Sequence, residues 1–253
     1  MSDEVLVEAR DNILIVTLNR PEAKNAATKQ LSEDVAAAMD RLDSDDSLRV
    51  GIITGAGGTF CSGMDLKGFL RGETPFVAGR GFAGLTEAPP QKPLIAAVNG
   101  YALAGGFEIM LACDLVVANK DAKFGIPEAK RGLAAAAGGL VRLPRQIPPR
   151  LAMELALTGD FITAARAYEI GLINRVTDGD ALDAALELAA SITANGPLAV
   201  AASKRVITQS RAWSEADMWK KQGETLGTLF MSEDAREGAA AFAQKRKPEW
   251  KGR

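Results

Sequence analysis

The chain has 253 residues, of which 47% are hydrophobic and 25% are charged, a composition typical of a globular protein that can bury a full core. The formal net charge of -2 gives no field that would attract a polyanion, so nucleic acid is not an expected partner. The sequence contains no histidine, which excludes Ser-His-Asp and Cys-His catalysis, HExxH zinc sites and histidine proton shuttles. Acid–base chemistry must then depend on carboxylates, Lys, Tyr, Cys or the backbone.

Two further features concern location and redox chemistry. The N-terminal MSDEVLVEARDN lacks a basic start followed by an apolar core, and no apolar run reaches about 18 residues, so we expect a cytoplasmic protein with no membrane partner. Cys61 and Cys113 each stand alone among apolar or small neighbours. This pattern favours two small core residues over a disulfide or a metal cluster, and no metal is predicted.

The first half of the chain alternates apolar runs with helical periodicity. Between two predicted strands at 13–18 and 50–54, apolar residues recur at helical spacing after Thr28, a plausible N-cap: Leu31, Val35, Met39 and Leu42. Strand, helix and strand in this order predict a parallel crossover. Two more buried strands are expected at 94–98 and 115–118. The first half is therefore predicted to be an α/β layer.

The middle segment, 68–93, has no sustained period and contains five glycines and four prolines. Such a segment is typical of a binding loop or of an ordinary surface loop.

The second half is predicted to be mainly helical, with one short strand at 172–176. One helix carries an apolar stripe of Leu182, Ala185, Ala189 and Ile192, and a second begins at Pro197 and runs to about Gln209. Helix starts are also expected at Ser214, paired with Asp217 in a capping box, and at Ser232. These segments predict a C-terminal helical subdomain.

Two glycine-rich turns, 55–63 and 99–106, follow predicted strands, and a ligand can closely approach glycine backbone beyond the carboxyl ends of parallel strands. Unpaired N–H groups there favour an anion or a polarised oxygen. The stretch 55–58 matches neither GxGxxG nor a Walker loop. From the residues alone, a structural role is favoured over a catalytic one for each turn.

Two glutamates lie near these turns. Glu108 ends NGYALAGGFE and is followed by the apolar IMLAC, so burial is expected to raise its pKa. Glu128 follows Pro127 at a predicted helix start, where an acid commonly interacts with the helix dipole. Two carboxylates in one dry site would nevertheless provide an acid and a base for work on a single water.

Six motifs occur in an order that resembles the crotonase superfamily of enoyl-CoA hydratases and isomerases, and together they cover nearly the whole chain. They are LNRPEAKNA at 18–26, GGTFCSGMDLK at 57–67, KPLIAAVNGYALAGGFEIMLACDLVVA at 92–118, AKFGIPEAKRGL at 122–133, AAGGLVRLPR at 136–145 and SEDAREGAAAFAQKRKPEWKG at 232–252. The resemblance implies an α/β fold with a crotonase-type β/α spiral core at 1–195 and a C-terminal helical trimerisation region at 196–253. It also implies a homotrimer or a dimer of trimers.

The resemblance also implies functional roles. The N–H groups of Met64 and Gly105 would form an oxyanion hole for the thioester oxygen of an acyl-CoA, and Glu108 and Glu128 would hold the water that adds across the C2–C3 double bond. No separate cofactor is implied, because coenzyme A is part of the substrate. Residues implied to bind CoA are Ala23, Lys24, Cys61, Ser62, Gly63, Lys67, Phe242 and Lys245.

The leading hypothesis is therefore a 2-enoyl-CoA hydratase. Alternatives on the same site are a carnitinyl-CoA dehydratase acting on carnitinyl-CoA or crotonobetainyl-CoA, favoured by the segment 142–159, and an enoyl-CoA isomerase. A non-catalytic acyl-CoA binder is the alternative from another functional class. Two departures from the family pattern are Ala135-Ala136, where many hydratases have Pro-Gly, and Ala104, where glycine is common.

Overall fold

The computed structural model describes residues 2–253. The strands are β1 (Val5–Arg10), β2 (Ile13–Leu18), β3 (Val50–Gly55), β4 (Phe76–Val77), β5 (Gly81–Phe82), β6 (Leu94–Val98), β7 (Tyr101–Leu103), β8 (Leu115–Asn119), β9 (Lys123–Gly125), β10 (Ile162–Thr163) and β11 (Arg175–Thr177). The helices are α1 (Lys29–Ser44), α2 (Leu66–Leu70), α3 (Gly105–Ala112), α4 (Gly139–Gln146), α5 (Pro149–Thr158), α6 (Ala164–Glu169), α7 (Ala181–Thr193), α8 (Pro197–Gln209), α9 (Met218–Gly227) and α10 (Glu233–Gln244).

The main sheet of the described residues has the strand order β1-β2-β3-β6-β8-β11. β1 is antiparallel to β2, and the other neighbours are parallel. The four apolar runs of the first half are β2, β3, β6 and β8, as predicted. The helix between the first two strands is α1, and Thr28 caps it by accepting the Leu31 N–H at 3.0 Å. The predicted parallel crossover is thus confirmed.

Side chains of the central strands alternate between two cores. In β2, Leu14 and Val16 face a large core that also contains apolar residues of α1, α3 and α5, whereas Ile13 and Ile15 face a smaller core under α7. Small side chains line α7 on the sheet side: Ala181, Ala185 and Ala189 are buried, whereas Leu182 and Ile192 are only partly buried. Helices on both faces explain why the strands are continuous apolar runs.

Several strands have no clear sequence signal. The most important for the site is β7, which lies inside the second glycine turn and pairs with β9 in a three-stranded sheet of order β10-β9-β7. The strand predicted at 172–176 is wrong in its bounds, because β11 spans Arg175–Thr177. Leu172 and Ile173 are instead core residues in the turn after α6, where the Leu172 N–H donates to Ala167 O at 2.8 Å.

The segment 68–93 is more ordered than its composition indicates. It begins within α2 and forms the antiparallel hairpin of β4 and β5. Residues 81–86 are buried throughout, so a surface loop does not describe this part of the segment.

The C-terminal region contains α8, α9 and α10, as predicted. Pro197 opens α8, and Ser232 caps α10 by accepting the Ala235 N–H at 3.0 Å. Ser214 and Asp217 are hydrogen bonded at 2.8 Å, but they close the turn before α9, whose own N-cap is Asp217. The helix start predicted at Ser214 is therefore wrong by three residues.

One lysine ties α8 to the sheet. Lys204 Nζ donates to Pro90 O at 2.7 Å, to Lys92 O at 2.9 Å and to Asp114 Oδ2 at 2.6 Å. Asp114 Oδ2 also accepts the Leu94 N–H at 2.8 Å, so one carboxylate joins the start of β6, the end of α3 and helix α8.

Large apolar side chains of the C-terminal region remain exposed in the single chain. Trp219, Phe230 and Phe242 are 72%, 73% and 87% exposed. Within residues 2–253 no single helix is long and apolar enough to span a membrane; α7 taken with Pro197–Ala212 meets the length and composition criteria only as a pair bent by 107°.

Candidate active site

The first glycine turn brings Met64 to the edge of the site. The Ala27 N–H donates to Gly63 O at 2.7 Å, and the Asp65 N–H donates to Ala27 O at 3.0 Å. Gly63 has φ +107°, a conformation that favours glycine. Met64 is therefore held from both sides by one residue of the preceding loop, and its own N–H donates to no acceptor within residues 2–253.

The second glycine turn places Gly105 beside the first. Gly105 is the first residue of α3, and its N–H donates to no acceptor among the described residues. A Cβ on Gly63 would lie 3.2 Å from Gly105 N, so the two turns are in contact. Ala104, which precedes the helix, has φ +51°, a region that favours glycine and accounts for the glycine common at this position in the family. The two N–H groups predicted as oxyanion donors thus lie close together.

Close packing explains why two successive residues here are glycine. A Cβ on Gly105 would lie 2.4 Å from Cζ of Phe82, and a Cβ on Gly106 would lie 2.1 Å from Cys61 O. Neither position has room for a side chain. Gly106 therefore lets α3 start against the first turn, and Gly105 leaves space for the ring of Phe82.

Glu108 lies one turn into α3 and is 3% exposed. Its Oε1 accepts the N–H groups of Ala137 and Gly139, each at 2.7 Å. Burial raises the pKa of this carboxyl to about 7, and the negative charge of Glu128 adds to the rise, while the two N–H donors oppose it. The predicted burial of Glu108 is confirmed, and with a pKa of about 7 both protonation states are accessible near neutral pH.

Glu128 belongs to the 3-10 turn Pro127–Arg131 and is half-buried. Burial raises its pKa, with the nearby charge of Arg131 opposing the rise. Its Oε2 is buried and has no hydrogen-bond partner among the described residues. A buried carboxylate oxygen without a donor is costly unless it is protonated or bound to water or a ligand. Glu128 thus has a free oxygen, and its charge influences Glu108.

The Ala135-Ala136 departure lies directly before a donor to Glu108. Ala135 is 7% exposed and Ala137 is 8% exposed, whereas Ala136 is at the surface. This turn still directs the Ala137 N–H at Glu108. The alanine turn therefore orients Glu108 without the proline and glycine common in the family.

The residues predicted to bind CoA through the backbone lie on two loops, 23–24 and 61–63. Ala23 is half-buried, and the carbonyl of the next residue, Lys24, accepts the Ser62 N–H at 3.0 Å. Lys24 Nζ lies 5.5 Å from the centroid of the Tyr101 ring. The loops that carry residues 23–24 and 62–63 therefore meet at the first turn. Cys61 is fully buried, and both its N–H and its carbonyl are used by β7, which gives it a structural position.

The predicted side-chain contacts to CoA are more scattered. Lys67 is exposed in α2, a helix capped by Asp65, whose Oδ1 accepts the Lys67 N–H at 2.9 Å. Phe242 and Lys245 lie at the end of α10, and no hydrogen bond or ion pair of residues 2–253 joins them to the two glycine turns. In the single chain Phe242 is 87% exposed, and neither residue has a polar link to the site.

Sequence reasoning missed two arginines that support the site. Arg20 forms an ion pair with Asp65 at 3.0 Å and donates to Ala26 O at 2.6 Å, and so braces the Met64 turn. Arg142, in α4, donates to Thr86 O at 2.5 Å and lowers the pKa of Glu108 slightly. Arg142 and Thr86 lie far apart in the sequence, so no local spacing indicates this contact.

The fold and the site define a class of protein: an α/β protein with two adjacent backbone N–H groups that have no acceptor, a buried carboxyl on the helix that starts there, and a half-buried carboxyl whose charge acts on the first. Comparison with known proteins gives the family. The enoyl-CoA hydratase/isomerase family model matches residues 8–253. The chain is 47% identical over 99% of its length to "Enoyl-CoA hydratase EchA19" of Mycobacterium tuberculosis, of which it covers 97%. It is 43% identical to "Carnitinyl-CoA dehydratase" of Proteus mirabilis, with both chains fully covered.

A solved structure agrees with this result. The chain superposes on enoyl-CoA hydratase EchA1 of Mycobacterium marinum with a TM-score of 0.98 and 60% sequence identity, covering all of both chains. The chain belongs to the enoyl-CoA hydratase/isomerase family, the crotonase superfamily.

Proposed function

We propose that the protein is an enoyl-CoA hydratase that adds water across the C2–C3 double bond of a 2-enoyl-CoA thioester. The observation that carries the proposal is that two unused backbone N–H groups, at Met64 and Gly105, occur with a buried and a half-buried carboxyl whose pKa values are raised. Relatives across the full chain are named as hydratases and as carnitinyl-CoA dehydratases. The acyl-CoA thioester is the proposed substrate and supplies its own coenzyme.

The reaction follows from these groups. The thioester oxygen accepts both N–H groups, which stabilise the negative charge that develops on it; loss of one such donor typically costs about 2.7 to 4 kcal/mol of barrier. One carboxylate of the pair Glu108 and Glu128 takes a proton from water while the oxygen of the water bonds to C3. The other carboxyl delivers a proton to C2. Water is consumed, and the pair regains its starting protonation after one proton exchange.

Glutamine substitutions test the proposal. Glu108→Gln keeps an oxygen for the Ala137 and Gly139 N–H groups but cannot transfer a proton, and Glu128→Gln acts likewise at the other acid. We expect each variant to lose at least about a hundredfold in kcat with crotonyl-CoA, measured by the loss of enoyl-thioester absorbance. Full activity in either variant would exclude the two-carboxylate mechanism. Exposed Glu215→Gln is the matched control and should retain wild-type activity.

A second candidate is a carnitinyl-CoA dehydratase, favoured by the full-length similarity to enzymes of that name. The same site would remove or add water on an acyl group that carries a quaternary ammonium. Mass analysis of the product separates the candidates, because hydration adds one water, dehydration of carnitinyl-CoA removes one, and isomerisation leaves the mass unchanged. Binding of acyl-CoA without turnover on any of these substrates would indicate a non-catalytic binder.

We further propose a homotrimer or a dimer of trimers acting in the cytoplasm in fatty-acid β-oxidation, with 196–253 as the trimerisation region. The exposed Trp219, Phe230 and Phe242 support this assembly, since large exposed apolar patches mark interaction sites. In a trimer, Phe242 and Lys245 would reach the CoA of a neighbouring subunit. Light scattering combined with size-exclusion chromatography tests the assembly, and a monomer at micromolar concentration would contradict it.

A further inference from the structure

The short segment 24–27, which lies between β2 and α1, runs alongside the chain on both sides of Met64. Three backbone hydrogen bonds join the two stretches: the Ser62 N–H donates to Lys24 O at 3.0 Å, the Ala27 N–H donates to Gly63 O at 2.7 Å, and the Asp65 N–H donates to Ala27 O at 3.0 Å. Met64 lies within this set of bonds, and its own N–H donates to no acceptor within residues 2–253. The direction of the Met64 N–H therefore depends on where segment 24–27 lies.

Asn25, inside this segment, is fully buried. Its Oδ1 accepts the Arg20 N–H at 2.8 Å, and its Nδ2 donates to Ala56 O at 2.9 Å and to Thr59 O at 2.6 Å. A primary amide has two N–H donors, and here both donate to carbonyls of the first glycine turn. The side chain of Asn25 therefore joins segment 24–27 to the turn 55–63, which leads to Met64.

The backbone and the packing around Asn25 are equally specific. Its φ of +55° is left-handed, a conformation that Asn adopts more readily than most residues, and its N–H donates to Arg20 O at 2.8 Å. A Cβ on Gly55 would lie 2.7 Å from Asn25 Nδ2, so the turn lies directly against the amide. Aspartate has the same shape as asparagine but no donor for the two carbonyls. The position thus requires a left-handed backbone together with an amide.

We propose that Asn25 is a positioning residue, which acts through segment 24–27 and the turn 55–63 to aim the Met64 N–H at the thioester oxygen. The inference rests on the proposed function, in which this N–H is one of two oxyanion donors. Such a donor has to lie within about 2.7 to 3.1 Å of the developing oxyanion. A displacement of about 1 Å caused by a remote change can lower the rate about a hundredfold. Asn25 itself is buried and makes only internal hydrogen bonds, so it acts without touching the substrate.

Two substitutions test the proposal. Asn25→Asp keeps the shape of the side chain but replaces two donors by a negative charge that faces two carbonyls, and Asn25→Gly keeps the left-handed backbone but removes the amide. In both variants kcat with crotonyl-CoA should fall about tenfold or more. The value is expressed per chain that binds butyryl-CoA in calorimetry, which removes the contribution of unfolded chains. An unchanged kcat in both variants would overturn the proposal.

Infrared spectroscopy reports the oxyanion donors without turnover. Butyryl-CoA has no double bond to hydrate, and hydrogen bonds lower the stretching frequency of its thioester carbonyl, which a ¹³C label at that carbon identifies. The band of butyryl-CoA bound to wild type should lie below that of free butyryl-CoA. Each Asn25 variant should lose about half of this lowering, because Gly105 keeps its own N–H. A band that is the same in wild type and in both variants would overturn the proposal.

The matched control is Lys204→Met. This variant removes a side chain that also makes three hydrogen bonds, to Pro90 O, Lys92 O and Asp114 Oδ2, but none to either glycine turn. It should lower stability while kcat per binding chain and the carbonyl band stay at the wild-type values. An equal shift of the band in this variant would mean that general loss of stability, and not the Asn25 amide, moves the donor, and would overturn the proposal.

The carbonyl band also distinguishes failure of this inference from failure of the proposed function. If wild type hydrates no enoyl-CoA but the band is lowered in wild type and partly restored in the Asn25 variants, the hydratase proposal fails and the role of Asn25 stands. If the wild-type band is not lowered, the two N–H groups do not bind the thioester oxygen, and the proposal for Asn25 falls.

Discussion

Substitution of Glu108 by glutamine should make the protein more stable while it removes activity. In the folded chain the pKa of Glu108 rises from its ordinary value of 4.5 to about 7, because burial disfavours the charged carboxylate more than the Ala137 and Gly139 N–H groups favour it. A rise of this size corresponds to about 3 kcal/mol of stability. Glutamine has no charge to bury and keeps the acceptor for both donors.

The sign of the effect depends on pH. Between pH 4.5 and 7 the folded state holds a proton on Glu108 that the unfolded state releases, so the contribution of this group to stability falls as the pH rises. The full penalty is present above about pH 7 and absent below about pH 4.5. The gain from Glu108→Gln should therefore be about 3 kcal/mol at about pH 8 and less than about 1 kcal/mol at about pH 5.

Urea unfolding of wild type and Glu108→Gln at both pH values, at one protein concentration, measures this gain. The difference between the two proteins cancels the titration of every other group that the substitution leaves unchanged. A gain that is equal at the two pH values would refute the argument, because it would show that the folded and unfolded states bind this proton equally. Glu215→Gln, in an exposed turn, should give a difference near zero at both pH values.

Three further outcomes are expected. The pH profile of kcat/KM should show an apparent pKa near 7. This pKa should lie on the acid limb if Glu108 accepts the proton of water and on the alkaline limb if Glu108 donates a proton. A profile with no apparent pKa near 7 would show that Glu108 does not transfer a proton. Gly105→Ala should lower kcat by about a hundredfold or more, on the order of the loss of one oxyanion donor, because the added Cβ would lie 2.4 Å from Phe82 and displace the backbone. Phe82→Ala in the same chain should restore part of the lost activity. If it restores none, the clash with Phe82 is not the cause of the loss. Lys204→Met should lower the free energy of unfolding in urea by about 3 kcal/mol, because it leaves the carboxylate of Asp114 with one hydrogen-bond donor. The exposed Lys220→Met should change the free energy of unfolding by less than about 1 kcal/mol. Equal effects would contradict a stabilising role for the Lys204–Asp114 ion pair.

The parts of the fold that follow one strong periodicity could be predicted from sequence. Strands β2, β3, β6 and β8 are buried on both faces and so appear as continuous apolar runs, and Thr28 and Ser232 are caps because their side chains serve backbone groups nearby in the chain. Strand β7 could not be predicted. Among residues 2–253 its three residues pair only with β9 and Cys61, which are distant in sequence, and the flanking glycines indicate a turn.

The candidate site shows the same division. Glu108 is conspicuous because it is an acid within an apolar stretch, and the structure buries it as expected. The contact of Phe82 with Gly105 could not be predicted from sequence. A single aromatic residue among glycines shows no periodicity, and the contact depends on how the hairpin packs across α3. The residues alone suggested a link between Glu108 and Glu128 through their positions near the glycine turns, although a dipole-capping role was the simpler interpretation of Glu128, and the resemblance to the family assigned both to one water.

The two halves of the proposed site differ in how they respond to mutation. Both proposed oxyanion donors are main-chain groups, and of the twenty amino acids only proline lacks the N–H. A random codon change therefore leaves the donor atom in place, and damages this half only by moving the backbone, as at Gly105 or Gly106. The acid–base half disappears with one nucleotide change at either glutamate. The chain can thus lose or change the proposed proton chemistry in a single step while it keeps the backbone groups proposed to bind a thioester.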